Sequence, residues 1–197
     1  MSEKLNYAII LEYNKGVLPG GIRFFMNIWR RIKRLPKRVK IHNHVEILYY
    51  LDGELMVVGA VKGGFRPRIF KDEMPRNHWK NLMFMVSKEP FTDVQKILVE
   101  QQIRMYVFGH QHRNYEYLNF ISWPVYILTF GKVRLSKKTD KRMECYEAAA
   151  RVYNAAGNYF PNPEYTDIFQ YYENPMLVEY VGWEEEIEKI LTKKETQ

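Results

Sequence analysis

Cys145 is the single cysteine of a 197-residue chain, so no intramolecular disulfide can form. It falls within the first turn or so of a helix expected over Asp140–Ala156. A thiol there meets the positive end of the helix dipole, which favours thiolate and prepares a nucleophile. Lys141 and Arg142 push the same way, while Glu144 opposes. A small buried hydrophobe on a helix is the other role such a cysteine can fill. A thiol nucleophile needs a base held rigidly against it. His44, within IHNHVEI, opens a strand and could present its ring to a helix N-terminus packed on the sheet; it could also be a plain turn histidine. His42, His110 and His112 are weaker candidates. His110 and His112 stand two apart and could share a metal on an extended segment, but no third ligand accompanies them. No metal and no cofactor are expected.

The elements that must position this pair are legible in outline. Tyr7–Leu11 reads as a short buried strand, and Ile22–Leu35 places Phe25, Ile28, Trp29 and Ile32 at helical spacing before Pro36 ends the helix. HVEILYYL (44–51) and ELMVVGAV (54–61) are two β-type runs joined at Asp52-Gly53, a strong hairpin signature. FRPRIF continues as an edge segment and Trp79–Val86 as a further strand. Phe91–Tyr106 is helical, with Val94, Ile97, Leu98, Gln101 and Met105 along one side and Thr92 or Pro90 near its start. Tyr115–Phe130 is a mixed aromatic segment, read as a short helix. In Asp140–Ala156, Asp140 is the expected cap and Gly157 the close. A shorter helix, Tyr165–Tyr172, and a charged Glu/Lys tail (183–197) complete the chain. The fold class implied is α+β: a small, mostly antiparallel sheet packed against helices, in one domain spanning 1–197.

His44 before Cys145, the first opening a strand–turn–strand and the second opening an Ala-rich helix, resembles the circularly permuted papain-like (cysteine proteinase) hydrolases. These are relatives of the NlpC-type cell-wall peptidases and include the YiiX-like and lecithin:retinol acyltransferase-like groups, found in bacteria and phage. The text carrying the resemblance is HVEILYYLDGELMVVGAVKGGFR (44–66), YEYLNF (115–120) and ECYEAAARVYNAAG (144–157). The resemblance implies a cysteine hydrolase of amidase or peptidase type, with Cys145 as nucleophile and His44 as base. Its substrate would be a peptide, a lipid amide or an ester. Tyr115, Tyr117, Phe120 and Trp123 could line a groove for it or serve as core packing.

The chain departs from the family pattern in three motif positions: Tyr146 follows the cysteine in place of Ser, Asn43 precedes the histidine in place of Ser, and Glu116 replaces an Asp. Many YiiX-like members also carry an orienting Glu on the second hairpin strand, where this chain has Gly59. A hairpin turning symmetrically on Asp52-Gly53 sets Leu51 opposite Glu54, Ile47 opposite Val58 and Glu46 opposite Gly59. His44 and Glu46, two apart, project from one face. Glu46 would then enter the space Gly59 leaves, the orienting acid having crossed the hairpin. The alternatives are a Cys–His dyad, or a degenerate papain-like shell acting as a binding or structural protein.

Charge suggests partners. The net charge is +7, and Arg23, Arg30, Arg31, Lys33, Arg34, Lys37, Arg38 and Lys40 form an acid-free run. Such a run is a solvated helix face or a contact for an anionic surface. With Phe24, Phe25, Ile28 and Trp29 on the same helix, docking at a bilayer is conceivable, although these aromatics could equally cover the sheet. No zinc-finger spacing, phosphate loop or RNA-binding aromatic motif points to a specific nucleic acid. No stretch has the length of a membrane span and no secretory signal is evident, so a cytoplasmic setting is expected.

Overall fold

A computed structural model describes residues 5–38, 40–51, 53–61, 64–109, 114–115, 125, 128–129, 133 and 142–195. Along the chain run β1 (Ile9–Glu12), α1 (Val17–Ile32), β2 (His44–Leu51), β3 (Glu54–Val61), β4 (Gly64–Ile69), α2 (Phe70–Glu73) and a 3-10 stretch, Arg76–Asn81. Then follow β5 (Leu82–Ser87), α3 (Asp93–Phe108), β6 (Asn114–Tyr115), β7 (Arg142–Met143), α4 (Cys145–Asn154), a 3-10 turn at Pro163–Tyr165, α5 (Ile168–Glu173), β8 (Leu177–Glu179) and α6 (Trp183–Glu195). The fold class is α+β. Six strands form a sheet in the order β4-β3-β2-β1-β5-β8, antiparallel at every pairing.

The central hairpin follows the alternation and the turn. β2 and β3 have the expected bounds, Leu51 pairs Glu54 and Ile47 pairs Val58. Gly53 takes a φ of +80°, which an L side chain resists and which closes a two-residue turn. β4 is an edge strand, as FRPRIF suggested.

Alternate residues feed two apolar layers. Ile9, Leu11, Val45, Ile47 and Val58 join residues of α1, α3, α4 and α5, whereas Ile10, Leu48, Val57 and Phe84 join Phe70, Trp79, Trp183 and Ile187. The charged C-terminal segment is therefore a docked helix at its start. Trp183 stacks on Phe84 with ring centroids 4.1 Å apart, and Glu184, Glu185 and Glu186 occupy the first turn, where the dipole favours acids.

Several boundaries move for non-local reasons. The Cys145 helix does not run from residue 140. Arg142–Met143 pair in parallel with Asn114–Tyr115, so helical geometry starts after Glu144, the residue at the cap position in place of Asp140. Cys145 thereby becomes the first helical residue. α1 begins at Val17, earlier than expected, and closes with Arg34 at φ +57° and the Leu35 amide donating to the Arg30 carbonyl at 3.0 Å, a Schellman-type end. Trp79–Asn81 belong to a 3-10 stretch rather than to β5. α3 is capped by a reciprocal Thr92–Gln95 box but turns Val99, Ile103 and Tyr106 inward. Its stripe of Val94, Ile97, Leu98 and Met105 is exposed. No helix among the described residues is long and apolar enough to cross a membrane.

Candidate active site

The site is built where the first residue of β2 meets the first residue of α4. His44 and Glu46 lie two apart on β2, so strand geometry puts both side chains on one face. The ring atom Nε2 of His44 is 2.9 Å from Oε1 of Glu46. The thiol of Cys145 hydrogen-bonds the same ring. A cysteine, an imidazole and a carboxylate thus form a continuous chain, the order of a nucleophile, its base and an orienting acid.

Glycine makes the room. A Cβ built on Gly59 would lie 3.1 Å from Cγ and 3.3 Å from Oε1 of Glu46, so the glutamate side chain fills the volume a larger residue would claim. The same Oε1 accepts from Nη2 of Arg68 on β4, and Nη1 of Arg68 donates to Oε2 of Glu73 on α2 at 2.8 Å. The group is enclosed: side-chain exposure is 1% for Glu46 and 15% for His44, and Cys145 is 2% exposed.

Burial alone would suppress charge on both partners, and the pairing reverses this. Desolvation disfavours the imidazolium, yet Cys145 and Glu46, by charge and hydrogen bond, outweigh it and hold His44 well above the usual histidine range. Desolvation likewise works against the Glu46 carboxylate, but His44 and Arg68 outweigh it and keep its pKa below the ordinary value. The site is organised to carry an imidazolium flanked by an acid and a sulfur.

His42 goes elsewhere. Its Nδ1 is 2.7 Å from the Tyr172 hydroxyl, and burial, with Lys40 and Arg38 nearby, lowers its pKa to about 4. Asn43, standing where the family pattern has Ser, is a brace. Its side chain donates to the carbonyls of Asn14 (3.1 Å) and Pro19 (3.2 Å) and accepts from the Asn14 amide at 2.9 Å. Tyr146, in place of the Ser after the cysteine, is buried, and its carbonyl accepts from the Tyr171 hydroxyl at 2.5 Å. His110, His112, Tyr117, Phe120 and Trp123 lie outside the described residues, as does the side chain of Tyr115.

The chain shares its fold with YiiX. The crystal structure of this metalloprotein from Escherichia coli O157:H7 superposes with a TM-score of 0.58 at 15% identity, over 91% of this chain and 97% of that one. No family model and no curated protein matches the sequence. The likeness to YiiX is one of fold, and what the site does must come from its own residues.

Two features were not found from the sequence. Arg68 meets Glu46 across an intervening strand, and the signal for it is the β3–β4 register, which pairs Val57 with Arg68. The other is a second acid–histidine pair: Nε2 of His78 lies 2.7 Å from Oε1 of Glu12, whose Oε2 accepts from Asn14 at 2.8 Å. Glu12 stands directly opposite His44 on the neighbouring strand, but His78 is distant in sequence and nothing local announces it. The basic run is partly structural. Arg23 donates to the Asn14 carbonyl and lies over Tyr13, Arg38 lies over Tyr172, and Lys40 donates to the Lys80 carbonyl at 2.6 Å.

Proposed function

We propose that the chain is a cysteine-dependent acyl hydrolase of the permuted papain-like type, acting on amide bonds in preference to esters. The observation carrying this reading is the buried, continuous Cys145–His44–Glu46 arrangement, with the thiol at the first residue of a helix. His44 takes the thiol proton, and the thiolate attacks the acyl carbon. The tetrahedral oxyanion is met by backbone N–H groups at the start of α4, including that of Cys145, whose donors have no partners within the helix. The leaving amine receives its proton from His44. Water, activated by the same imidazole, then splits the thioester and releases the acid. Glu46 keeps the ring oriented and stabilises its charged form throughout. The substrate class follows from the electrophile: a peptide, a lipid amide or an ester.

YiiX is described as a metalloprotein. In this chain no three His, Cys, Asp or Glu side chains converge as ligands among the described residues, and Nε2 of His44 is engaged by Glu46. The residues do not fit a metal centre there, and no step is derived through one. The basic residues between Arg23 and Lys40 are proposed to meet an anionic surface, beside Phe24, which is 62% exposed, while Trp29 and Met26 are buried. A cytoplasmic setting is part of the same reading.

A second reading, a papain-like shell that binds without turnover, draws on the 2% exposure of Cys145. One experiment separates the two. Alkylation of Cys145 by a small reagent is followed across pH in the parent and in His44→Ala. A low apparent thiol pKa that returns towards about 8.5 in the variant supports the hydrolase. A thiol that is unreactive, or indifferent to His44, supports the shell.

A further inference from the structure

We propose that Arg68 is a positioning residue for this site: backed by Glu73, it clamps the Glu46 carboxylate so that Oε1 stays a fixed anionic acceptor for His44. The inference rests on the hydrolase reading and adds to it a residue that no catalytic pattern in the sequence picked out.

The geometry is that of a bridge. A single oxygen, Oε1 of Glu46, takes both His44 Nε2 and Arg68 Nη2, while Oε2 of Glu46 and Nε of Arg68 are buried with no partner among the described residues. All directional hold on the carboxylate therefore passes through Oε1. A carboxylate as buried as Glu46 is costly to keep charged unless a cation faces it. If His44 were its sole cationic partner, the acid would lose that support each time the imidazolium gave up its proton. Arg68 keeps its charge through the whole cycle.

The other arm of the guanidinium reaches Glu73, and exposure rises along the path, from 1% at Glu46 through 16% at Arg68 to 40% at Glu73. Beyond the sulfur, basic and acidic groups then alternate towards solvent: imidazole, carboxylate, guanidinium, carboxylate. Alternation matters because a lone guanidinium near His44 would disfavour the imidazolium, and Glu73 offsets that charge. A planar fork can hold two carboxylates at once where an ammonium is a single point charge.

Other charged or titratable groups face the site from the elements around it. Glu12 of β1 stands opposite His44 and is held by His78 and Asn14. Arg66 of β4, exposed, is opposite Gly59. Glu144 sits at the cap of α4, and Tyr171 of α5 lies near the thiol. None of them contacts Oε1 of Glu46.

The test reads the His44 ring directly, by NMR titration of the imidazole, beside the pH profile of Cys145 alkylation. The proteins are the parent, Arg68→Met, Arg68→Lys, Glu73→Gln, Glu46→Gln and the double variant Glu46→Gln/Arg68→Met. In Arg68→Met the His44 midpoint should fall by about one unit, and alkylation near pH 6 should slow about tenfold. Arg68→Lys should recover part of this. Glu73→Gln, at a half-exposed position where folding is not at stake, should lower the His44 midpoint by about 0.3 pH unit and slow alkylation about twofold. The double variant should be no slower than Glu46→Gln alone, since Arg68 acts through that carboxylate. Additive losses in the double variant, a His44 midpoint that rises in Arg68→Met as simple removal of a nearby cation would make it, or an unmoved midpoint in both Arg68→Met and Glu73→Gln, would overturn the proposal. The two levels fail separately. A His44 midpoint that follows Arg68 beside a thiol indifferent to His44 removes the hydrolase and leaves the clamp; a reactive, His44-dependent thiol unaffected at Arg68 does the reverse.

Discussion

The molecule holds two carboxylate–histidine pairs whose acids stand on the neighbouring strands β1 and β2, and only one of the two histidines meets a thiol. Glu46–His44 and Glu12–His78 have similar contact distances, 2.9 and 2.7 Å, and Glu12 even faces His44 across the β1–β2 rung. They differ in what lies beyond the imidazole and behind the acid. His44 continues to a thiol at a helix start, and its acid is backed by Arg68. His78 stands on a 3-10 stretch, and its acid is backed by the neutral amide of Asn14. An acid–histidine pair is thus a general structural device; under the proposed reading, the thiol beyond the ring and the cation behind the acid are what make one of the two reactive.

The widest separation between the pairs is expected on deleting the imidazoles. His44→Ala, or Cys145→Ala, should lower hydrolysis of an accepted amide substrate by about a thousandfold or more. His78→Ala should leave it within about threefold. Rates for the three variants against one substrate check this, and comparable losses at His78 and His44 would erase the distinction.

Removing the acid comes next. Glu46→Gln should slow turnover by roughly ten- to a hundredfold and change the shape of its pH profile. The sign follows from the raised His44 pKa: the imidazolium persists to higher pH in the parent, so the alkaline limb should move to lower pH in the variant. Stability should respond at the other end. The Glu46 pKa is lowered in the fold, so its contribution is present above the unfolded value of 4.5 and is lost as pH falls through the folded value; Glu46→Gln should flatten that part of the unfolding curve. Chemical denaturation between pH 3 and 7, with kinetic pH profiles, tests both signs.

A smaller step probes the space at Gly59. In Gly59→Ala the new Cβ meets Glu46 Cγ at 3.1 Å, and Glu46 cannot retreat while Arg68 and His44 hold it. Alkylation should slow by about fivefold with a stability cost of about 1 kcal/mol. The exchange Glu46→Ala/Gly59→Glu moves the acid to β3, where the sequence resemblance leads one to expect it. Faster alkylation than in Glu46→Ala alone would sharpen the idea that the two hairpin positions are interchangeable; equal rates would break it.

How much of this was readable depends on the reach of each interaction. The β2–β3 hairpin was legible to the residue because alternation and the Asp52-Gly53 turn are local, and the register placed Glu46 against Gly59 without any structure. The start of α4 was not, because it depends on Arg142–Met143 pairing with residues near 114. Arg68 required a second hairpin register on top of the first. α3 shows the limit of periodicity itself: its spacing announces a helix, but the side bearing Val94, Ile97 and Leu98 faces solvent, and Val99 and Ile103 face the core. Local pattern names an element; which face is covered depends on partners distant in the chain.

The smallest effect tests the silent pair. Glu12 accepts from Asn14 at Oε2 and pairs with His78 at Oε1, its backbone carbonyl accepts from the Asn43 amide at 2.9 Å, and Asn43 in turn ties down residues 14 and 19 just before and within the start of α1. This cluster fastens the entry to α1 and the 3-10 stretch to the β1 edge of the site. Glu12→Gln keeps the shape and one acceptor, so the cost should be about 1 kcal/mol of stability, read as a shift in the denaturation midpoint. Cys145 alkylation should stay within about twofold at every pH, because Glu12 contacts neither the thiol nor Oε1 of Glu46. If instead the alkylation profile moved as far as in Glu46→Gln, Glu12 would be acting on His44 across the rung, and the two pairs would have to be treated as one coupled site.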